Sequence, residues 1–250
     1  MKLKNVLFFL SLVSVVNCSY AISESNHINV PKVEVNQVQD SLSKQQQALI
    51  PISAFTAVGD LPQLAIALNQ GLDQGLTVNE IKAVLVQSYT YAGFPRSLNA
   101  LSAFMQILEK RKAKGIEDIE GRDSQALPQN YQAIIQGSEN QTQLVGQPVK
   151  GPLFEFAPEI DEYLKAHLFG DIFSRDVLDW QGREIATVSM LAALHGTETQ
   201  LKAHVQMSLN IGISIQQLQE IQQVLSKDVS GETGQKLTQI LSHLPEKKSF

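Results

Sequence analysis

Thiols are almost absent from this chain. Of its 250 residues only Cys18 is a cysteine, and it falls inside an N-terminal stretch that reads as a leader. Beyond it, disulfides, thiolate metal sites and cysteine nucleophiles are excluded. The sequence also lacks a phosphate loop, a dinucleotide fingerprint, a Gly-x-Ser-x-Gly elbow and an EF-hand loop. No segment alternates in the manner of a half-buried strand. Positive charge is in deficit too, with 20 Lys and Arg against 25 Asp and Glu. That balance argues against a general nucleic-acid or anionic-membrane binder.

What is present begins with "MKLKNVLFFLSLVSVVNCSYA". Lys2 and Lys4 precede an apolar stretch from Val6 to Val16, and Ser19-Tyr20-Ala21 fits a small-x-small cleavage site. A stretch of about a dozen residues is short of the roughly 20 that a spanning helix needs, so no membrane anchor is expected. Asn17 before Cys18 is unlike the small residue that precedes a lipidated cysteine. Residues 1–21 are therefore read as a signal peptide cleaved after Ala21, and the location as periplasmic or secreted. Loss of Lys2 and Lys4 leaves 18 basic against 25 acidic residues, a formal charge of about −7.

Residues 22–40 read as an extended arm, and the remainder as all-α. Ser43 caps "KQQQALIPISAF"; Asp60 caps a segment with Pro62 in its first turn; Thr77-x-x-Glu80 and Ser214-x-x-Gln217 are capping-box patterns. Another helix follows Pro95 and ends in the basic run "EKRKAKG", where cations suit a helix C-terminus. Residues 115–155 carry five glycines and three prolines that punctuate the chain, and are expected to be an irregular linker between a first module, 41–114, and a second, 156–250. A shift of 137 residues lays "NQGLDQGLTVNEI" on "QMSLNIGISIQQL", keeping the helical period in register. This predicts a tandem duplicated helical module packed as one all-α unit.

"REIATVSMLAAL" is apolar nearly all round, which implies a helix buried in the bundle or in an oligomer. Glu184 in its first turn is either a solvated charge beside Arg183 or a covered carboxylate suited to acid–base work. His204 lies at the edge of an apolar stripe formed by Leu201, Val205 and Leu209. His195 stands where a side chain can cap the last carbonyls of the preceding helix. The two histidines are nine apart, not the i, i+4 spacing of a helical zinc pair; a metal site would need His167 or a carboxylate brought in by the fold. Neither metal nor cofactor is expected. In "YTYAGFPRSLNAL" a helix breaks at Gly93, and Tyr89, Tyr91, Phe94 and Arg96 form either a pocket lining or an aromatic corner.

On "LTVNEIKAVLVQSYTYAGFPRSLNAL" and "APEIDEYLKAHLFGDIFSRDVLDWQGREIATVSMLAALHGTETQLKAHVQMSLNIGIS" the chain resembles the carboxymuconolactone decarboxylase family, which includes alkylhydroperoxidase D. The resemblance covers roughly residues 41–245 and implies an all-α fold and a homo-oligomer, a trimer or hexamer. In the peroxidase branch a Glu is followed by Cys-x-x-Cys and a His four residues later. Counting back from His204, the cysteine positions are occupied by Thr197 and Gln200, and Glu184 is the acidic partner, displaced by about one residue. Without thiols, hydroperoxide reduction of that type is excluded.

Acid–base equipment remains. Decarboxylation beside an unsaturated lactone calls for a cation, an oxyanion donor and an acid to protonate carbon. The resemblance implies Arg183 or Arg96 for the first, Tyr91 or His195 for the second, and Glu184 with His204 for the third, with Thr197 and Gln200 as further substrate contacts. Family decarboxylases of aromatic degradation act on a cytoplasmic intermediate, whereas this chain reads as exported. The expected substrate is therefore a different small organic acid or lactone. The alternative is a non-catalytic helical oligomer or small-molecule-binding protein of the same fold.

Overall fold

Helix α1, Lys44–Val58, starts where Ser43 and Gln46 exchange side-chain and backbone hydrogen bonds in a capping box. The computed structural model describes residues 41–244, so the expectations for the leader and the arm lie outside the described residues. Asp60 caps α2, Leu61–Asp73, and Thr77 with Glu80 boxes the start of α3, Val78–Gln87. A single turn, α4, Tyr89–Ala92, leads into the long α5, Phe94–Ala113. After α6, Ala133–Val145, come two short turns, α7, Pro152–Phe156, and α8, Pro158–Glu162. The chain then widens into a π-helical segment, Tyr163–Ile172. The last four α-helices are α9, Trp180–Ala193; α10, Glu198–Asn210; α11, Ile215–Val224; and α12, Gly231–Leu241, with a second π-helical stretch, Leu225–Val229, before α12. Among the described residues there is no strand, and no helix is long and apolar enough to cross a membrane.

The duplication is visible residue for residue. A shift of 137 carries Leu61–Asp73 onto Glu198–Asn210 and Val78–Gln87 onto Ile215–Val224 with identical bounds. Gly75 and Gly212, which end the paired helices, have φ of 93° and 92°. Both turns thus need the left-handed backbone that glycine adopts without a Cβ clash.

Helices α1 and α9 are the paired centres of the two copies, and they pack on each other. Every residue from Ala48 to Ala57 except Pro51 is buried, and every residue from Gly182 to Ala193. An all-round apolar helix lowers its free energy only when every face is covered, at about 1.5–3 kcal/mol for each large aliphatic side chain buried. Helices α2, α3 and α5 cover one side of this pair, while α10, α11 and α12 cover the other.

Residues 115–155 depart from the expected irregular linker, because they contain the 13 residues of α6. Its glycine and polar content, Gly137 and Asn140 included, reads as loop but serves a close helix crossing. A Cβ on Gly137 would lie 1.6 Å from the Lys165 carbonyl oxygen, and one on Gly170 would lie 2.5 Å from that of Ala133. Asn140 donates to the Phe169 carbonyl at 2.7 Å. Leu144, Leu168, Phe169, Ile172 and Phe173 fill this crossing as a second, smaller core.

Replacing Gly137 by Ala should therefore force α6 off the π-helical segment and cost about 2–3 kcal/mol. Thermal unfolding should show a melting temperature lower by roughly 5–10 °C; an unchanged melt would mean the crossing yields without cost.

Candidate functional site

The buried face of α9 carries four polar side chains, and three of them meet residues from other helices. Glu184 is 0% exposed, and its Oε2 lies 2.8 Å from Nδ1 of His204 on α10. With a carboxylate as partner, Nδ1 carries the proton. Nε2, which makes no hydrogen bond among the described residues, is then the nitrogen with a free lone pair. The His204 side chain is 8% exposed. Its carbonyl accepts from Ser208 at 2.8 Å, which keeps α10 regular beneath the ring.

Tyr91 closes this pair from the other module. Its ring meets the His204 imidazole edge-on, with centroids 5.6 Å apart. The hydroxyl is buried near Thr187 without reaching hydrogen-bond geometry, and Glu184 Oε1 is likewise buried without a partner. Burial, and then the charge of Glu184, push the Tyr91 phenol far above its ordinary range. It is therefore a neutral O–H donor at any physiological pH.

Arg183 lies beside these groups at 1% exposure. Its Nη1 donates to Gln87 Oε1 at 2.9 Å and its Nη2 to the Arg175 carbonyl at 2.7 Å, while Nε has no partner. Gln87 returns the bond: its Nε2 donates to the Arg183 carbonyl at 3.0 Å and to Thr187 Oγ1 at 2.9 Å. The guanidinium also sits over Phe173, 5.9 Å from the ring centroid. Desolvation pulls the Arg183 pKa down to about 10, so it remains a cation at neutral pH.

Of the residues named from sequence, Glu184, His204, Tyr91 and Arg183 come together, and the others do not. His195 is on the surface, its side chain 84% exposed and 4.0 Å from Glu232. The capping role expected of it belongs to Thr197, whose hydroxyl reaches the Leu191 carbonyl at 2.8 Å, and to Lys236, which reaches that of Leu194 at 3.0 Å. Thr197 is thus tied to backbone, and Gln200 is exposed. Arg96 donates to the Ala57 carbonyl and braces the end of α1. Tyr89 stacks on Phe94 at 4.4 Å, so this part of the break is an aromatic corner, while Tyr91 meets His204.

Sequence reasoning missed Gln87, which is fully buried. Its signal was a polar residue three after Val84 on an apolar stripe, where an amide must find partners. Among the described residues no group of three or more His, Cys, Asp or Glu could hold a metal ion.

Two substitutions should move stability in opposite directions. Gln87→Leu strands the Arg183 guanidinium and should cost about 2–3 kcal/mol. Tyr91→Phe removes a buried hydroxyl without a partner and should raise the melting temperature by about 2–6 °C while keeping the ring edge on His204. Calorimetry of both variants checks the pair of signs.

The same geometry is repeated twice in outline and once in chemistry, and the comparison with known families follows that division. The model of the carboxymuconolactone decarboxylase family matches residues 33–106 and again 158–229, once in each copy. A search of curated proteins finds no match. With more than half of its length matched, the chain belongs to the carboxymuconolactone decarboxylase family.

Proposed function

We propose that this protein is an exported acid–base enzyme of the family, a lyase or isomerase acting on a small organic acid or lactone. The observation that carries the reading is the 2.8 Å contact between Glu184 and His204, in a site with no cysteine at Thr197 or Gln200. Thiol-dependent peroxide reduction has no nucleophile here. A carboxylate that fixes the imidazole tautomer leaves Nε2 to carry a proton: in an isomerisation it takes one from carbon and returns it, and in a decarboxylation it takes one from solvent and delivers it to the carbon that has lost CO2. The Tyr91 hydroxyl and the Arg183 guanidinium supply a neutral donor and a cation beside it, as a developing oxyanion requires. His195, Gln200 and Arg96 have no part in this mechanism.

The test is turnover in D2O of a panel of small lactone acids and keto acids, read by deuterium incorporation and CO2 release. His204→Gln and Glu184→Gln should each lower the rate about 10²–10⁴-fold with folding intact, and the double variant should lose little more than either single one. Full turnover in either single variant sinks the assignment. Export predicts a mature N-terminus at Ile22, which mass spectrometry of the native protein checks.

Exposed apolar side chains favour self-association alongside this chemistry. Phe94 and Leu98 open α5 at 62% and 58% exposure, and Phe156 and Tyr163 are exposed as well. Light scattering is expected to give a trimeric or hexameric mass. A monomer at micromolar concentration would remove the oligomer.

A further inference from the structure

Arg183 is a buried cation without a salt bridge among the described residues; Asp179 and Asp176 act on it only at a distance. The two oxygens it reaches, Gln87 Oε1 and the Arg175 carbonyl, are both neutral, and two of the guanidinium's five N–H groups are thereby satisfied. Buried charges are normally paired, because desolvation costs several kcal/mol per ion. Arg183 also lines a cavity of about 240 Å³ whose wall includes Lys82, Asn79, Asp123, Ser124 and Arg175.

The acidic groups nearby are already engaged. Asp176 binds Arg122, the Ser124 hydroxyl and the Gln125 amide, and these bonds hold its carboxyl down at about 2. Asp179 caps α9 through the Gly182 amide at 2.7 Å. Glu120 pairs with Lys82 at 2.8 Å, and Asp123 accepts from Asn79 at 3.2 Å. Glu184 is taken by His204. The Arg175 side chain, exposed at this wall, has no hydrogen bond or ion pair among the described residues, and its charge acts against that of Arg183. Two guanidinium groups of like charge, one buried and neither in an ion pair among the described residues, thus border one small space; Asp123 is the acidic residue of its wall, while Asp179 and Asp176 act on Arg183 without bonding to it.

We propose that this cavity binds the carboxylate of a small organic acid, with Arg175 at its rim and Arg183 at its inner wall. A planar carboxylate suits guanidinium forks, and two such forks repay the desolvation that the protein alone leaves uncompensated. A volume near the low end for ligand sites suits a small acid and not an extended chain. The placement of this acid next to the reacting centre rests on the reading of Glu184 and His204 as that centre, because Arg183, which borders the cavity, directly precedes Glu184 on α9. Anion capture itself does not.

The experiment is a titration of the full chain with benzoate and with its neutral analogue benzamide, followed by calorimetry and by amide chemical shifts. Benzoate should bind saturably and benzamide should not. Binding should weaken with added salt. Arg175→Met should weaken benzoate at least tenfold, Arg175→Lys by less, and Asp123→Asn should tighten it several-fold; Gln200→Ala, at an exposed position that does not line the cavity, should leave it unchanged. Arg175 contributes its backbone carbonyl to Arg183 and its side chain is exposed, so Arg175→Met should fold, which a thermal melt verifies. Equal affinity for benzamide, or an unchanged affinity in Arg175→Met, overturns the proposal. His204→Gln should keep benzoate binding. An inactive wild type that still binds benzoate overturns the enzymatic reading while leaving the anion site in place.

Discussion

A helix that cannot face water on any side constrains everything around it, and α9 is that helix. From Gly182 to Ala193 each residue is buried, so each polar atom it carries needs a partner inside the protein. Ser189 and Thr187 solve this locally by donating to carbonyls one turn back, at 2.7 and 2.9 Å. Arg183 and Glu184 cannot, because their charged ends reach past the helix radius. They determine what must lie opposite: Gln87 at the end of α3, the Arg175 carbonyl before α9, and His204 on α10. The crossing of α10 over α9, and the approach of the α3 end to it, are thus specified by polar pairing as well as by apolar packing.

That pairing is incomplete around Arg183 and Glu184. Three of the buried polar atoms without a hydrogen bond, Tyr91 Oη, Arg183 Nε and Glu184 Oε1, belong to this one network. A sequence selected for stability alone would replace a buried arginine of this kind with an apolar residue, which is often neutral or stabilising. Groups that cost stability and remain unrepaid within the chain are those expected where a ligand supplies the missing partner.

Much of this was legible before any coordinates. The capping boxes at Thr77 and Ser214, the Asp60 cap and the 137-residue offset are local or periodic signals, and local signals survive in sequence. Glu184 and His204 were legible for another reason: the polar residue in an apolar helix and the histidine beside an apolar stripe both stand out against their period. Gln87 did not, because an amide near a helix end is ordinary until its partner 96 positions away is known. Helix α6 was hidden since Gly137 lowers helix propensity, and only the approach of the Lys165 carbonyl shows why a glycine is there. His195 and Arg96 drew notice by their places at a helix end and beside a helix break. Their surroundings, solvent and the Ala57 carbonyl, are set by the tertiary path of the chain.

The duplication supplies an internal control for what the pair of Glu184 and His204 is for. At the same offset the first copy has Gln47 in place of Glu184, Ala67 in place of His204, and Asp228 answers to Tyr91. These three residues together line a cavity of about 80 Å³, the space that the second copy fills with an imidazole. Gln47 uses its amide on the Leu42 carbonyl at 3.1 Å instead of on a helix partner. Yet α1 and α2 pack against each other as α9 and α10 do, with the same helix bounds for α2 and α10 and the same glycine turns after them. The crossing therefore holds without a carboxylate–imidazole bond. Caps, turn glycines and apolar period, which the fold needs, occur in both copies; the ionisable pair, which the fold does not need, occurs in one. That division is a second support for the proposed chemical role of Glu184 and His204, since packing alone does not call for them.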